Sequence, residues 1–141
     1  MPTPQAWESF AHASDVGVRG RGETLERAFE NAALALTSVV TDPARVAARE
    51  SVRIECEAPD LELLLVDWLN AIVYAMSARG VLLTRFHVEL DGLRLNAEAW
   101  GEPLDPARHE PAAEVKAATL SGLEVSRGDG GAWTAQCVVD V

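Results

Sequence analysis

No part of the chain constrains the fold more than residues 61–76. Leu61, Leu64, Leu65, Trp68, Leu69, Ile72, Val73 and Met76 recur at spacings of three and four, so successive helical turns return apolar side chains to one wide face. Asp60, directly after Pro59, is a preferred N-cap, and Gly80 a preferred C-terminal stop; together they bound a helix. A face this wide has to be buried under another layer. Asp67, beside Trp68, is either a solvated edge residue of this helix or a functional one.

The covering layer is legible as strands with one further helix. From Thr24, a candidate N-cap, to about Val40, the residues Leu25, Ala28, Phe29, Ala32, Leu36 and Val39 form a second apolar stripe that Asp42-Pro43 ends. Residues 7–12 and 16–21 read as two short strands around Ala13-Ser14-Asp15, with Gly20 and Gly22 marking a turn. Val52, Ile54, Cys56 and Ala58 alternate with polar neighbours, as do Phe86, Val88 and Leu90. Asp91-Gly92 then signals a hairpin into Leu93, Leu95, Ala97 and Ala99. Residues 102–111 read as a long polar loop, and two last strands, 115–127 and 133–141, are joined through Gly128-Asp129-Gly130-Gly131. The expected architecture is a single α+β domain over 1–141, a two-layer domain with two helices packed on a mostly antiparallel sheet of about seven or eight strands.

Charge narrows the function classes. With 22 acidic against 12 basic residues and a formal net charge of −10, no broad basic face is expected, so direct nucleic-acid binding is not expected; a cation or a basic protein is the expected partner. No apolar run suggests a membrane partner, and Met1-Pro2-Thr3-Pro4-Gln5 lacks the parts of a signal peptide, which places the expected protein in the cytoplasm. Cys56 and Cys137 fall on the apolar phase of predicted strands and read as reduced, buried thiols. Nucleophile elbow, phosphate-binding glycine loop and CxxC pair are all missing from the sequence.

Chemistry must come from polar residues that packing does not use. Alternation runs to the last residue, with Trp133, Ala135, Cys137, Val139 and Val141 on one side and Asp140 on the other; an ordered strand there would hold the Val141 carboxylate beside that of Asp140, half of a hard-cation site. Ser14 and Asp15, next to His12, sit between two strands, where a loop can carry function. Asp15 can equally accept backbone hydrogen bonds, and His12 can cap a strand end. Glu102, Asp105, His109 and Glu110 cluster within nine positions, either to bind metal, to organise a partner or to stiffen a proline-rich surface loop.

Several segments taken together resemble the archease family: 10–18 (FAHASDVGV), 24–33 (TLERAFENAA), 64–70 (LLVDWLN), 101–105 (GEPLD), 109–110 (HE), 114–117 (EVKA) and 139–141 (VDV). The resemblance runs nearly end to end, in order. It implies a divalent-cation site, usually assigned to calcium and open to magnesium or manganese, held by Asp15, Asp140 and Val141. Ser14 stands where an alanine is common and Val141 where an isoleucine is common, and neither change removes an oxygen ligand. Lys116 and the 102–110 loop match family positions, and with His12 and Asp67 they are candidate partner-facing or supporting residues. The implied function is that of a protein cofactor, not an enzyme. It would assist an RtcB-type RNA ligase, which brings its own GTP and metals, in tRNA splicing and RNA repair by promoting guanylylation of the ligase and its multiple turnover. Two other readings are a metal-assisted hydrolase built on the same carboxylates with His109, and a general chaperone-like binding module.

Overall fold

The computed structural model describes residues 6–12 and 15–141, so the leader expectation for Met1-Pro2-Thr3-Pro4-Gln5 and the role considered for Ser14 lie outside the described residues. In chain order the elements are β1 (Trp7–His12), β2 (Asp15–Gly22), α1 (Leu25–Val40), a 3-10 turn (Pro43–Arg45), β3 (Glu50–Glu57) and α2 (Leu61–Arg79). There follow β4 (Val81–Asp91), β5 (Arg94–Pro103), the single-turn helix α3 (Pro106–His109), β6 (Ala117–Ala118), β7 (Glu124–Arg127) and β8 (Trp133–Asp140). The α+β class and the eight strands agree with the sequence reading, but the strands form two sheets rather than one. Five strands run β1-β2-β8-β6 with β7 also on β8, and three run β3-β5-β4, every pairing antiparallel.

Both long helices start and stop where their capping residues stand. The Thr24 hydroxyl accepts the Arg27 N–H at 3.1 Å and the Asp60 carboxylate the Leu63 N–H at 2.8 Å, each satisfying a donor that the first turn leaves free. Gly80 closes α2 in the left-handed region, φ 64°, which costs glycine little. On α2, Leu64, Leu65, Trp68, Leu69 and Ile72 are wholly buried. By length and apolar content α2 is long enough to cross a membrane, and 44% of that span is buried inside the domain. Trp68 stands edge-on to Phe86, ring centroids 5.9 Å apart, and its indole N–H donates to the Phe29 carbonyl at 3.0 Å, which ties the two helices and β4 at one point.

Helix α1 lies against β2 and along β4. It approaches β2 so closely that a Cβ on Gly20 would stand 2.1 Å from the Ala32 nitrogen, so only glycine fits. Along β4 it replaces a missing strand: the Glu30 carboxylate accepts the Val88 N–H at 2.9 Å and the Thr37 hydroxyl donates to the Leu83 carbonyl at 2.6 Å. Backbone groups that an open edge would expose are thereby satisfied by side chains.

Three local readings are corrected by the structure. Asp15 is the first residue of β2, paired with His12 of β1, not a loop residue. The 102–111 stretch is only partly loop: Glu102 and Pro103 finish β5, and Asp105, whose carboxylate accepts the Ala107 N–H at 3.1 Å, caps α3 with Pro106 at its start. The strand expected over 115–127 is broken in two. Five residues lie between Ala118 and Glu124 while two lie between their partners Val139 and Gln136, so the excess is looped out around Gly122, φ 58°.

Candidate functional site

One end of the five-stranded sheet brings the sequence's scattered candidates into a row. His12 pairs directly with Asp15, and Val16 with Val139; Asp15 and Asp140 each lie one residue beyond that last pair, on neighbouring strands. Paired residues share a face, so His12, Asp15 and Asp140 occupy one row on the face opposite α1, which packs on the Val18 and Gly20 side of β2. On its other edge Asp140 pairs with Ala117 of β6, and its carbonyl accepts the Lys116 N–H at 2.8 Å. Asp140 is exposed, Val141 is 36% exposed and Asp15 is half-buried. Among the described residues neither carboxylate forms an ion pair or side-chain hydrogen bond, which leaves their oxygens available.

The carboxylates of Asp15 and Asp140 and, next in the chain, the main-chain oxygen of Val141 are the donors at this end of the sheet. All are hard oxygen donors, the type that calcium and magnesium take. No group of three or more His, Cys, Asp or Glu side chains converges among the described residues, so side chains alone do not complete a coordination shell, and water or a partner group has to supply the rest. His12 is exposed in the same row, and Lys116, also exposed, contributes its backbone N–H there.

The second cluster is differently built. Glu102, 2% exposed, accepts from Arg108 on one oxygen and from the Ala47 N–H at 2.6 Å on the other, which also takes His109 Nε2 at 3.1 Å. Arg49 adds its charge 3.9 Å away. Hydrogen bonds from Arg108, then from Ala47, outweigh the cost of burial and hold the carboxyl down at about 2. His109 is buried, and its Nδ1 accepts the Asp105 N–H at 2.9 Å, which leaves Nε2 as the donor toward Glu102. Thr41 holds the His109 carbonyl at 2.5 Å and Arg45 the exposed Glu110 at 2.6 Å. Every polar atom that could serve a metal at Glu102 or His109 is engaged. Of the cluster read as binding metal, organising a partner or stiffening a surface loop, Glu102 and His109 form a buried knot that pins the chain between β5 and β6, while Asp105 and Glu110 are exposed.

Asp67 stands apart from the aspartate row. It is exposed on α2, and its charge adds to burial in pushing the half-buried Cys56 thiol of β3 up to about 11. Burial carries Cys137 up to about 12, so both free cysteines are unreactive thiols, as their strand phase suggests.

Asn70 is a supporting residue that the sequence reading passed over. Its side-chain carbonyl accepts the Ala118 N–H at 2.8 Å and its amide donates to the Ala118 carbonyl at 3.4 Å. That bidentate grip fastens the two-residue strand β6 to α2 and so seats it beside Asp140. The available signal was a polar side chain directly after Trp68-Leu69 on an otherwise apolar helix face.

Comparison with known proteins bears on the family and the fold. The family model described as the Archease protein family (MTH1598/TM1083) matches residues 7–141. The chain is 38% identical to a protein archease of Pyrococcus abyssi and 40% identical to that of Pyrococcus furiosus, in each case over 96% of this chain and 98% of the relative. It superposes on the solution structure of protein 1598 of Methanobacterium thermoautotrophicum with a TM-score of 0.84 and 34% identity, covering 96% of this chain and 99% of the other. A Thermotoga maritima archease described as a possible chaperone shares the fold, with a TM-score of 0.60 and 17% identity over 100% and 98% of the two chains. The chain belongs to the archease family.

Proposed function

We propose that this protein is a cofactor of an RtcB-type RNA ligase in tRNA splicing and RNA repair, acting in the cytoplasm, and that its aspartate row carries a divalent cation. The observation that supports this most is the juxtaposition of Asp15 and Asp140 on adjacent strands, with no ion pair to either among the described residues, beside the exposed Val141. Asp15, Asp140 and Val141 would hold the ion through oxygen alone, which suits calcium, with magnesium or manganese as alternatives. When bound, it would supply a positive charge whose open coordination positions a carboxylate or phosphate oxygen of the partner can fill. The row presents these oxygens, and the Lys116 N–H holds the Asp140 carbonyl from the neighbouring chain segment. With a net charge of −10, the domain is suited to approach a basic, metal-dependent active site rather than RNA itself. In this reading the chain promotes ligase guanylylation and repeated turnover and catalyses nothing alone.

A hydrolase centred on the 102–110 segment is disfavoured by the same geometry, since Glu102 and His109 are buried and bonded to each other. The deciding experiment is a guanylylation and multiple-turnover ligation assay with a purified RtcB-type ligase, with and without this chain. Guanylylation and turnover that rise with the chain support the reading. No effect on either, or ester or phosphate hydrolysis by the chain alone that chelator abolishes, rejects it.

A further inference from the structure

A cleft of about 470 Å³ opens between the C-terminal half of α2, the start of β4 and the strap that follows α3. Its walls are apolar: Val73 and Met76 from α2, Leu82 from β4, and Leu104, which is 40% exposed at the rim. The fourth wall is the strap 111–115, which has no regular secondary structure. The strap is pinned at both ends, by the Ala112 N–H on the Val40 carbonyl and the Lys116 N–H on the Asp140 carbonyl, each at 2.8 Å. Between the pins the backbone N–H groups of Ala113, Glu114 and Val115 donate to no acceptor among the described residues. Fixed, unpaired backbone donors along an apolar cleft beside a helix are the elements with which domains capture an extended peptide by strand addition.

The charge around the cleft selects among such peptides. Glu114 is exposed on the strap, and α2 ends at Gly80 on the cleft wall, where its last carbonyls concentrate partial negative charge. Arg79 lies in that last turn without lining the cleft. We propose that the cleft binds an extended segment of a partner protein that adds to the strap through main-chain hydrogen bonds. An apolar side chain of that segment seats among Val73, Met76 and Leu82, and a lysine or arginine lies beside Glu114. The inference does not depend on the cation site, with which it shares only the far pin of the strap.

The test follows amide hydrogen exchange of residues 112–116 in the full chain, with the capped hexapeptide Lys-Leu-Lys-Leu-Lys-Leu at about millimolar concentration, enough to populate a weak complex. Successive N–H groups of an extended strand point to opposite edges, so exchange is expected to slow about tenfold at alternate residues of Ala113, Glu114 and Val115 with this probe, and not with the glutamate-for-lysine peptide or with one N-methylated at alternate residues. Ser77→Trp, which fills the cleft from an exposed helix position, should abolish the protection at unchanged melting temperature. Glu114→Lys should transfer the preference to the glutamate peptide. Equal protection by the N-methylated peptide would mean a merely apolar pocket, and equal protection by the glutamate peptide would remove the charge selection; either overturns the proposal. So does protection that rises with protein concentration alone, the mark of a second copy in the cleft, and so does no protection by any probe.

Discussion

The Nε2 of His109 faces the Glu102 carboxylate at 3.1 Å with both side chains buried, and the Asp105 N–H occupies the other ring nitrogen. The pair closes a knot that also includes Arg108 and Ala47 and decides how the chain leaves β5 for β6. His109→Ala removes a packed ring and unpairs an oxygen of Glu102, so it is expected to cost about 2–4 kcal/mol, read as a lowered denaturation midpoint.

The same knot predicts an acid limit. Glu102 is held down at about 2 in the folded state against an ordinary 4.5. Its contribution to stability is therefore complete above the unfolded value and is lost as pH falls from there through about 2. Glu102→Gln should flatten that part of the stability curve in acid denaturation while lowering stability at neutral pH. An unchanged acid slope in the variant would show that other carboxylates control it.

Asp140 is exposed, and the bond that its backbone makes with Lys116 survives side-chain replacement. Asp140→Ala should therefore change stability by no more than about 0.5 kcal/mol and abolish both calcium binding by calorimetry and ligase activation. Asp15→Asn should do the same to binding. Full activation by the Asp140→Ala variant would remove the aspartate row from the mechanism.

Asn70 grips both backbone groups of Ala118. Asn70→Ala is expected to cost about 1–3 kcal/mol and to speed amide exchange at residues 116–118 beyond what that global loss explains. Uniform acceleration across the domain would mean that β6 is held by β8 alone.

Gly20 meets the α1 backbone, where a Cβ would fall 2.1 Å from the Ala32 nitrogen and 2.3 Å from the Ala28 carbonyl oxygen. Backbone cannot swing aside as a side chain can, so Gly20→Ala should destabilise the domain by about 3 kcal/mol or more. Urea denaturation reads this directly.

Features that depend on neighbours in the chain were legible in the sequence. The caps Thr24 and Asp60, the Gly80 stop, the Asp91-Gly92 hairpin and the strand phases of Cys56 and Cys137 all follow from side chains acting on their own backbone or from the period of burial along one element. So did the terminal strand with Asp140 on its outer side. What the sequence could not determine is how elements meet. The division into two sheets depends on α1 standing where β4 would otherwise pair, through Glu30 and Thr37. Asp15 comes beside Asp140 because of the register between β2 and β8, which no local pattern encodes. Glu102 and His109 read as exposed donors because residues 102–110 are polar, whereas in the fold Arg108, Ala47 and Asp105 repay their burial with hydrogen bonds. Arg108 and Asp105 are close in sequence, but only the fold turns them and the distant Ala47 N–H onto the buried pair.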